Sequence, residues 1–185
     1  MTIVTVKAVF VGDGAVGKTT MLMRFVTKEF PMEYIPTVFD NYYGKTPLKD
    51  CVVGMGLWDT GGGEDYPRLR PLCYPKTNVF PLSFAVNNRG SFDHVENYWL
   101  PELQHHCPDV PIVLIGTKID LRDDAKQEED FVSKEEGMEM MVRIGAVEYH
   151  EISSLTGYGV EELFDRLAIV GAAGKKNKDP ACKVS

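Results

Sequence analysis

The sequence lacks the features that would place the protein across a membrane or outside the cell. It has no run of apolar residues long enough to span a bilayer, and no N-terminal stretch with the pattern of a secretory signal peptide. The four cysteines stand far apart, without the paired spacing that holds a structural metal. These absences predict a cytoplasmic protein with reduced thiols.

Excess positive charge is also missing. The chain carries 20 Lys and Arg against 27 Asp and Glu, a formal net charge of -7, which argues against a nucleic-acid-binding protein. The 185 residues are 44% hydrophobic and 25% charged, the composition of an ordinary globular protein, and no internal repeat divides them. We therefore expect one domain with a sizeable core.

Short apolar segments rich in β-branched residues alternate with segments of helical period. This alternation predicts an α/β protein with a six-stranded, mostly parallel sheet flanked by helices. The second and third strands are separated by residues 49–50, and we expect them to pair as a hairpin. Residues 30–40 contain two prolines and have no helical period, which predicts a loop. The predicted strands are residues 3–11, 41–48, 51–58, 78–86, 111–116 and 147–152, and the predicted helices are 17–27, 91–106, 133–144 and 160–170.

Single residues refine these boundaries. Ser91 is the expected N-cap of the second helix, which Pro101 should kink or divide. Ser133 and Glu136 have the spacing of a capping box at the start of the third helix. Pro81 lies inside the fourth predicted strand, where it removes a backbone donor and predicts a bulge or an edge position.

The composition changes after residue 170. The remaining stretch, GAAGKKNKDPACKVS, has almost nothing to bury in a core. The sequence therefore predicts a folded nucleotide-binding domain over residues 1–170 and a flexible basic tail over residues 171–185.

The first predicted strand leads into GDGAVGKT at residues 12–19, which matches the phosphate-loop pattern G-x-x-x-x-G-K-[ST]. In this pattern the glycines let backbone N–H groups turn toward phosphate oxygens, the lysine reaches the β- and γ-phosphates, and the threonine hydroxyl binds Mg²⁺. The strand before the motif and the helix after it favour this interpretation over a chance glycine-rich turn. We therefore predict the P-loop fold of a nucleoside-triphosphate-binding protein, with phosphate contacts from Asp13, Gly14, Ala15, Val16, Gly17, Lys18, Thr19 and Thr20.

A second motif, TKID at residues 117–120, follows the fifth predicted strand, at the edge where open α/β sheets bind ligands. The carboxylate of Asp120 can accept hydrogen bonds from N1–H and the exocyclic amine of guanine, a pair of donors that adenine lacks. EISSL at residues 151–155 ends the sixth strand, where a backbone N–H can meet the guanine oxygen. These segments predict that Asp120 and the backbone of residues 151–155 contact the base.

Together with VGDGAVGKT and GTKIDLRDD, the stretches EYIPTVFDNY, LWDT and RLRPL resemble the Ras superfamily of small GTPases, and within it the Rho/Rac branch. The resemblance covers nearly the whole chain and includes a cysteine near its C-terminal end. It implies a monomeric, Mg²⁺-dependent GTP/GDP switch that hydrolyses GTP and signals to cytoskeletal effectors. It also implies exchange factors, GTPase-activating proteins and a dissociation inhibitor as partners.

The same resemblance assigns roles to single residues. Residues 34–42 would form the first switch loop, and Phe30 would lie against the guanine. The implied Mg²⁺ site consists of Thr19, Thr37 and, through a water molecule, Asp59. Lys118 would flank the base, and Ser153 and Ser154 would complete its pocket. The other implied nucleotide contacts are Tyr34, Pro36, Thr117, Leu121 and Leu155, and the implied catalytic groups are Lys18, Thr37, Gly62 and Gly63. The implied surface for effectors and exchange factors consists of Val38, Phe39, Asp40, Tyr42, Trp58, Tyr66, Leu69 and Leu72.

The chain departs from the family pattern in two places. The charged helical insert that usually follows LRDD in the Rho branch is shortened to the few residues between Asp124 and Ser133. In addition, Gly63 stands where the family has the glutamine that orients the attacking water. We therefore expect slow GTP hydrolysis, unless Glu64 positions the water instead.

The last four residues, CKVS, match the prenylation motif at Cys182, although Lys183 is unusual at its position. Lys175, Lys176 and Lys178 supply a basic patch, the second signal that a single lipid needs for stable anchoring. We expect a protein held on the inner face of the plasma membrane or on endomembranes by a prenylated tail.

Two other functions fit part of the sequence. A non-hydrolysing interaction module, permanently loaded with GTP, would be controlled by its abundance or location, and single-turnover hydrolysis separates it from a switch. A P-loop kinase would require an acceptor-binding lid, which the sequence does not show. It would also require a base preference other than the guanine preference that Asp120 predicts.

Overall fold

The computed structural model describes residues 2–33, 39–48, 51–62, 67–123 and 130–174. Its sheet has six strands in the order β2-β3-β1-β4-β5-β6, and all neighbouring strands are parallel except β2 and β3. This confirms the predicted α/β fold. The strands are β1 (Thr2–Gly12), β2 (Phe39–Pro47), β3 (Cys51–Thr60), β4 (Phe80–Ala85), β5 (Ile112–Thr117) and β6 (Glu148–Glu151).

Helices cover both faces of this sheet. A 3₁₀ turn spans Arg70–Cys73, and a π-helical turn at Val95–Trp99 joins the second and third helices. The helices are α1 (Lys18–Thr27), α2 (Arg89–His94), α3 (Leu100–His106), α4 (Ile119–Asp123), α5 (Lys134–Ile144) and α6 (Val160–Ala173). Among the described residues, no helix is both long and apolar enough to cross a membrane.

The core consists of two layers, one on each face of the sheet. Because successive strand residues point to opposite faces, Ala8 and Phe10 pack under α1 and α6, whereas Val9 and Val11 pack under α2, α3 and α5. The central strands β4 and β5 are buried at every position, which explains why their sequences are largely apolar without alternation.

The predicted hairpin is confirmed, because β2 pairs antiparallel with β3 from Phe39–Thr60 to Pro47–Val52. Its connection at residues 49–50 lies outside the described part of the chain. The predicted loop over residues 30–40 is wrong at its end, since β2 already begins at Phe39. The last helix also runs three residues past its predicted end at Val170, and Gly171 and Ala172 are buried.

Ser91 is not the N-cap of the second helix. Asn88 caps α2, and its side chain accepts a hydrogen bond from the Ser91 N–H. The hydroxyl of Ser91 instead accepts from the N–H of Ala85 at 3.0 Å, so that it ties the start of α2 to the end of β4. The predicted break at Pro101 is confirmed, because Pro101 lies in the first turn of α3, directly after the π-helical turn. The capping box of Ser133 and Glu136 is confirmed as well.

Pro81 lies in a central strand, so the predicted edge position is wrong. β4 has β1 on one side and β5 on the other, and Pro81 pairs with Val113 of β5. The pairing between β1 and β4 is interrupted, since Ala8–Val79 and Val11–Leu82 pair but the residues between them do not. The two pairs have the same difference in residue number, so neither strand has an extra residue between them, and a bulge is excluded as well. Alternation along the strand directs the ring nitrogen of Pro81 toward β1, where it cannot donate.

Candidate nucleotide-binding site

The phosphate loop joins β1 to α1 through a turn in which two glycines have positive φ angles. Gly12 has φ of 139°, and a Cβ atom there would overlap the carbonyl oxygen of Ser83 in β4. Gly17 has φ of 101° and precedes the first residue of α1. The loop therefore directs the N-terminus of α1, with its positive dipole end, toward the carboxyl edge of the sheet.

Lys18 is buried within this loop. Its ammonium group donates hydrogen bonds to the carbonyl oxygens of Gly12 and Asp13, each at 2.7 Å. Burial lowers the pKa of Lys18 to about 8, against the opposing influence of the Asp59 and Asp13 carboxylates. A phosphate group beside this ammonium would favour its charged form and offset the desolvation.

Thr19 and Asp59 come together at the adjacent position. The Thr19 hydroxyl donates to the Asp59 carboxylate at 2.5 Å, and Asp59 is buried at the end of β3. A hydroxyl and a carboxylate are the hard oxygen ligands that Mg²⁺ prefers, so this donor set fits that ion. Thr37, the third ligand that the sequence predicts, lies outside the described residues.

Gly62 lies directly against the phosphate loop. A Cβ atom on Gly62 would overlap the backbone nitrogen of Gly14 and the backbone carbonyl carbon of Asp13. Glycine is therefore required at this position by contact with the loop, whatever Gly62 does in the presence of nucleotide. Several other predicted residues lie outside the described part of the chain: Tyr34, Pro36, Val38, Gly63 and Tyr66.

The segment after β5 is bonded to the phosphate loop. The Thr117 hydroxyl donates to the carbonyl oxygen of Val16 at 2.5 Å, and the Lys118 ammonium donates to that of Ala15 at 2.7 Å. Lys118 has φ of 62°, and burial lowers the pKa of its side chain, with Asp120 opposing the change. The two motifs that the sequence places 100 residues apart thus form one continuous site.

Asp120 meets the segment after β6. Its carboxylate accepts a hydrogen bond from the Ser153 hydroxyl at 2.5 Å. Because an ionised carboxylate has about four acceptor positions, Asp120 can accept further donors from a base. The remaining predicted contacts are half-buried at Thr20 and Ser154, and exposed at Phe30, Leu121 and Leu155.

Sequence reasoning missed the ion pair that joins the two base-binding segments. Arg122 of α4 donates from both terminal nitrogens to the Glu151 carboxylate, at 2.9 and 2.7 Å, and also to the Val132 carbonyl. The Tyr149 hydroxyl donates to the same carboxylate. Arg122 stands two residues after Asp120, and Glu151 stands two residues before Ser153, which was the available signal. This bidentate pair holds Asp120 and Ser153 in register.

The predicted partner surface divides between two faces of the sheet. Trp58 packs on the face that carries α3 and has the Lys7 ammonium 3.9 Å from its ring centroid. Tyr42 packs against the opposite layer, and burial, followed by Asp40 and Asp59, raises its pKa to about 12. Asp40 is exposed, whereas of Phe39 only the backbone is described. Leu69 and Leu72 leave 54% and 74% of their surface exposed.

Comparison with known proteins agrees with this arrangement. A sequence model of the Ras family matches residues 7–170. The Rho-related protein racN of Dictyostelium discoideum is 52% identical over 170 residues, which cover 90% of this chain and 75% of racN. These matches include the phosphate loop and both base-binding segments. The chain therefore belongs to the Ras family, as a small GTPase of its Rho/Rac branch.

Proposed function

We propose that this GTPase is a Mg²⁺-dependent switch that alternates between GTP- and GDP-bound states and hydrolyses GTP slowly. The observation that carries this proposal is the contact between Thr19 and Asp59. It joins α1, which begins at the phosphate loop, to the end of β3, where the second switch segment begins. A cation held there would connect the nucleotide phosphates to the part of the chain that must respond to them.

The residues of this chain would then have separate tasks. Lys18 binds the β- and γ-phosphates, Asp120 selects guanine, and the Gly62 N–H meets the γ-phosphate. Bound Mg²⁺ would neutralise charge on the phosphate oxygens, with Thr19, Thr37 and Asp59 as the residues that hold it. Hydrolysis needs no covalent step from the protein, only positioning of water and stabilisation of charge.

The surface that responds to GTP would consist of residues 30–42 and 59–74. Leu69 and Leu72 support this proposal, because Leu69 directly before the 3₁₀ turn and Leu72 within it both expose apolar side chains to which a partner protein can bind. We propose cytoskeletal effectors, exchange factors, GTPase-activating proteins and a dissociation inhibitor as the partners, and a monomeric protein between these encounters.

Mg²⁺ removal tests the switch directly. Chelation should accelerate GDP release, and Thr19→Asn should weaken Mg²⁺ binding about 10- to 100-fold and weaken GTP more than GDP. The measurement is release of a fluorescent nucleotide over a Mg²⁺ titration. Thr27→Asn is the matched control, since Thr27 lies at the other end of α1 and its hydroxyl bonds the Met23 carbonyl. Nucleotide release that ignores Mg²⁺ would refute the assignment of Thr19 and Asp59.

The second candidate is the non-hydrolysing, permanently GTP-loaded module, and Gly63 is the observation that favours it. A switch and a non-hydrolysing module would both bind GTP and Mg²⁺ through the same residues. They differ in one property, because only the switch converts bound GTP to GDP in a single-turnover assay.

We also propose that the tail anchors the protein to membranes through a prenylated Cys182. Residues 175–185 lie outside the described part of the chain, so the support comes from their sequence. Cys182→Ser should release the protein to the soluble fraction, whereas neutralising Lys175, Lys176 and Lys178 should weaken binding to anionic vesicles about 100-fold, at about 1 kcal/mol for each lysine. Raising the salt concentration should reproduce the lysine effect but not the cysteine effect. A wild-type chain that stays soluble after treatment with active farnesyltransferase would contradict the anchor.

A further inference from the structure

The side chain of Asp13 points out of the phosphate loop and is held by two donors from one helical segment. The indole Nε1 of Trp99 donates to Oδ1 at 2.8 Å, and Nδ1 of His94 lies 2.6 Å from Oδ2. Because an ionised carboxylate only accepts hydrogen bonds, Nδ1 of His94 must carry the hydrogen. The two donors engage different oxygens, which fixes both the position and the rotation of the carboxylate.

The backbone of the same residue lies inside the nucleotide site. Its carbonyl oxygen accepts the hydrogen bond from Lys18 at 2.7 Å, and its peptide group is in contact with Gly62. Asp13 therefore connects the lysine that meets the phosphates, the first residues after β3, and the segment formed by α2 and the π-helical turn. Movement of its side chain would move this backbone as well.

Trp99 is a rigid support on one side of the carboxylate. It is completely buried, and the guanidinium of Arg70 lies 4.4 Å from its ring. Arg70 is itself held by two hydrogen bonds to Glu102, at 2.9 and 2.8 Å. This network reaches the 3₁₀ turn at Arg70–Cys73, so the chain on both sides of residues 63–66 contacts the structure built around Asp13.

We propose that His94 is a positioning residue for nucleotide binding, which fixes the phosphate loop through the Asp13 carboxylate. The His94 side chain is 54% exposed and contributes little packing, whereas the Asp13 side chain is only 19% exposed. An exposed ion pair between two mobile side chains would have a negligible effect. Here Trp99 already immobilises the Asp13 carboxylate. The hydrogen bond from His94 therefore costs little additional side-chain entropy.

The test measures GDP release in the presence of Mg²⁺. The inference rests on the proposed guanine-nucleotide switch. His94→Ala should accelerate release about three- to tenfold, the range expected for one net hydrogen bond. His94→Gln should restore most of the wild-type rate, because its amide N–H can donate to the carboxylate. In an Asp13→Ala background, where no side chain is left to accept the hydrogen bond, His94→Ala should have little further effect. His105→Ala removes another exposed histidine, from α3, and serves as the control, with no expected change.

The possible results separate this inference from the proposed function. If the wild-type chain retains no guanine nucleotide, the proposed function fails and the inference fails with it. If the wild-type chain retains GDP and His94→Ala releases it at the wild-type rate, the inference alone is wrong. It is also wrong if His94→Gln is as fast as His94→Ala, or if the effect persists in the Asp13→Ala background, since loss of bulk rather than of the hydrogen bond would then explain the change.

Discussion

A Gly63→Gln variant is expected to hydrolyse GTP about 10²-fold faster than the wild-type chain. Turnover without a partner is on the order of 10⁻⁴ s⁻¹ for Ras, whose glutamine orients the attacking water, and loss of such positioning costs on the order of 10²-fold. Glycine has no side chain with which to hold water. A GTPase-activating protein should therefore bind the wild-type chain and stimulate it poorly, because an arginine stabilises charge without placing the water.

A single-turnover assay with preloaded GTP measures this gain, and Gly63→Ala is the matched control. Alanine restricts the backbone as glutamine does but adds no amide, so a gain seen only with glutamine assigns the effect to the side chain. Adding Gly61→Ala should give a smaller further increase by reducing the freedom of the loop. Ordinary hydrolysis by the wild type, without a gain in Gly63→Gln, would contradict the prediction and direct attention to Glu64.

Of the three consecutive glycines at residues 61–63, the structure describes Gly61 and Gly62. Gly62 cannot carry a side chain, because its Cβ would overlap the phosphate loop at Gly14 and Asp13. That contact explains one glycine by geometry. Gly63 lies outside the described residues, so its role remains a prediction from sequence, and the Gly63→Gln assay tests it.

An Asp120→Asn variant is expected to exchange guanine preference for xanthine preference. Guanine presents two donors to the carboxylate, and xanthine presents a carbonyl oxygen in place of the amine. Two hydrogen bonds to a charged acceptor correspond to about 3–6 kcal/mol, or about 10²- to 10⁴-fold in relative affinity. The amide oxygen of asparagine can still accept the hydrogen bond from the Ser153 hydroxyl, so the site should keep its shape.

Competition between GDP and xanthosine diphosphate against a labelled nucleotide measures this exchange. Asp130→Asn is the control, because Asp130 is an exposed carboxylate whose partner in the structure is Arg89. It should leave the base preference unchanged. An Asp120→Asn chain that still prefers guanine would show that another residue selects the base.

Features encoded by short spacing along the chain could be predicted from the sequence. The phosphate loop, TKID and the capping box of Ser133 each depend on residues that are close together in the chain, so residue type and spacing were sufficient. The mostly parallel sheet followed from the alternation of apolar and helical segments. The hairpin of β2 and β3 followed from the short distance between the two strands.

Features that depend on distant partners could not be predicted in this way. Ser91 has the chemistry of an N-cap, but the N–H of Ala85 occupies its hydroxyl and Asn88 caps the helix instead. Pro81 looked like an edge residue because the sequence does not encode strand order locally. Asp13 and Trp99 are 86 residues apart, and neither position signals the other.

The base preference of the wild-type protein tests the central claim most directly. Labelled GTP bound in the presence of Mg²⁺ is challenged with increasing amounts of unlabelled GTP, GDP or ATP, and the displacement is followed at equilibrium. A guanine-nucleotide switch predicts displacement by GTP and GDP at stoichiometric concentrations, whereas ATP should need an excess of about 10²-fold or more, because adenine lacks the donor pair that Asp120 accepts. Equal displacement by ATP would contradict the assignment of the site and with it the proposed function.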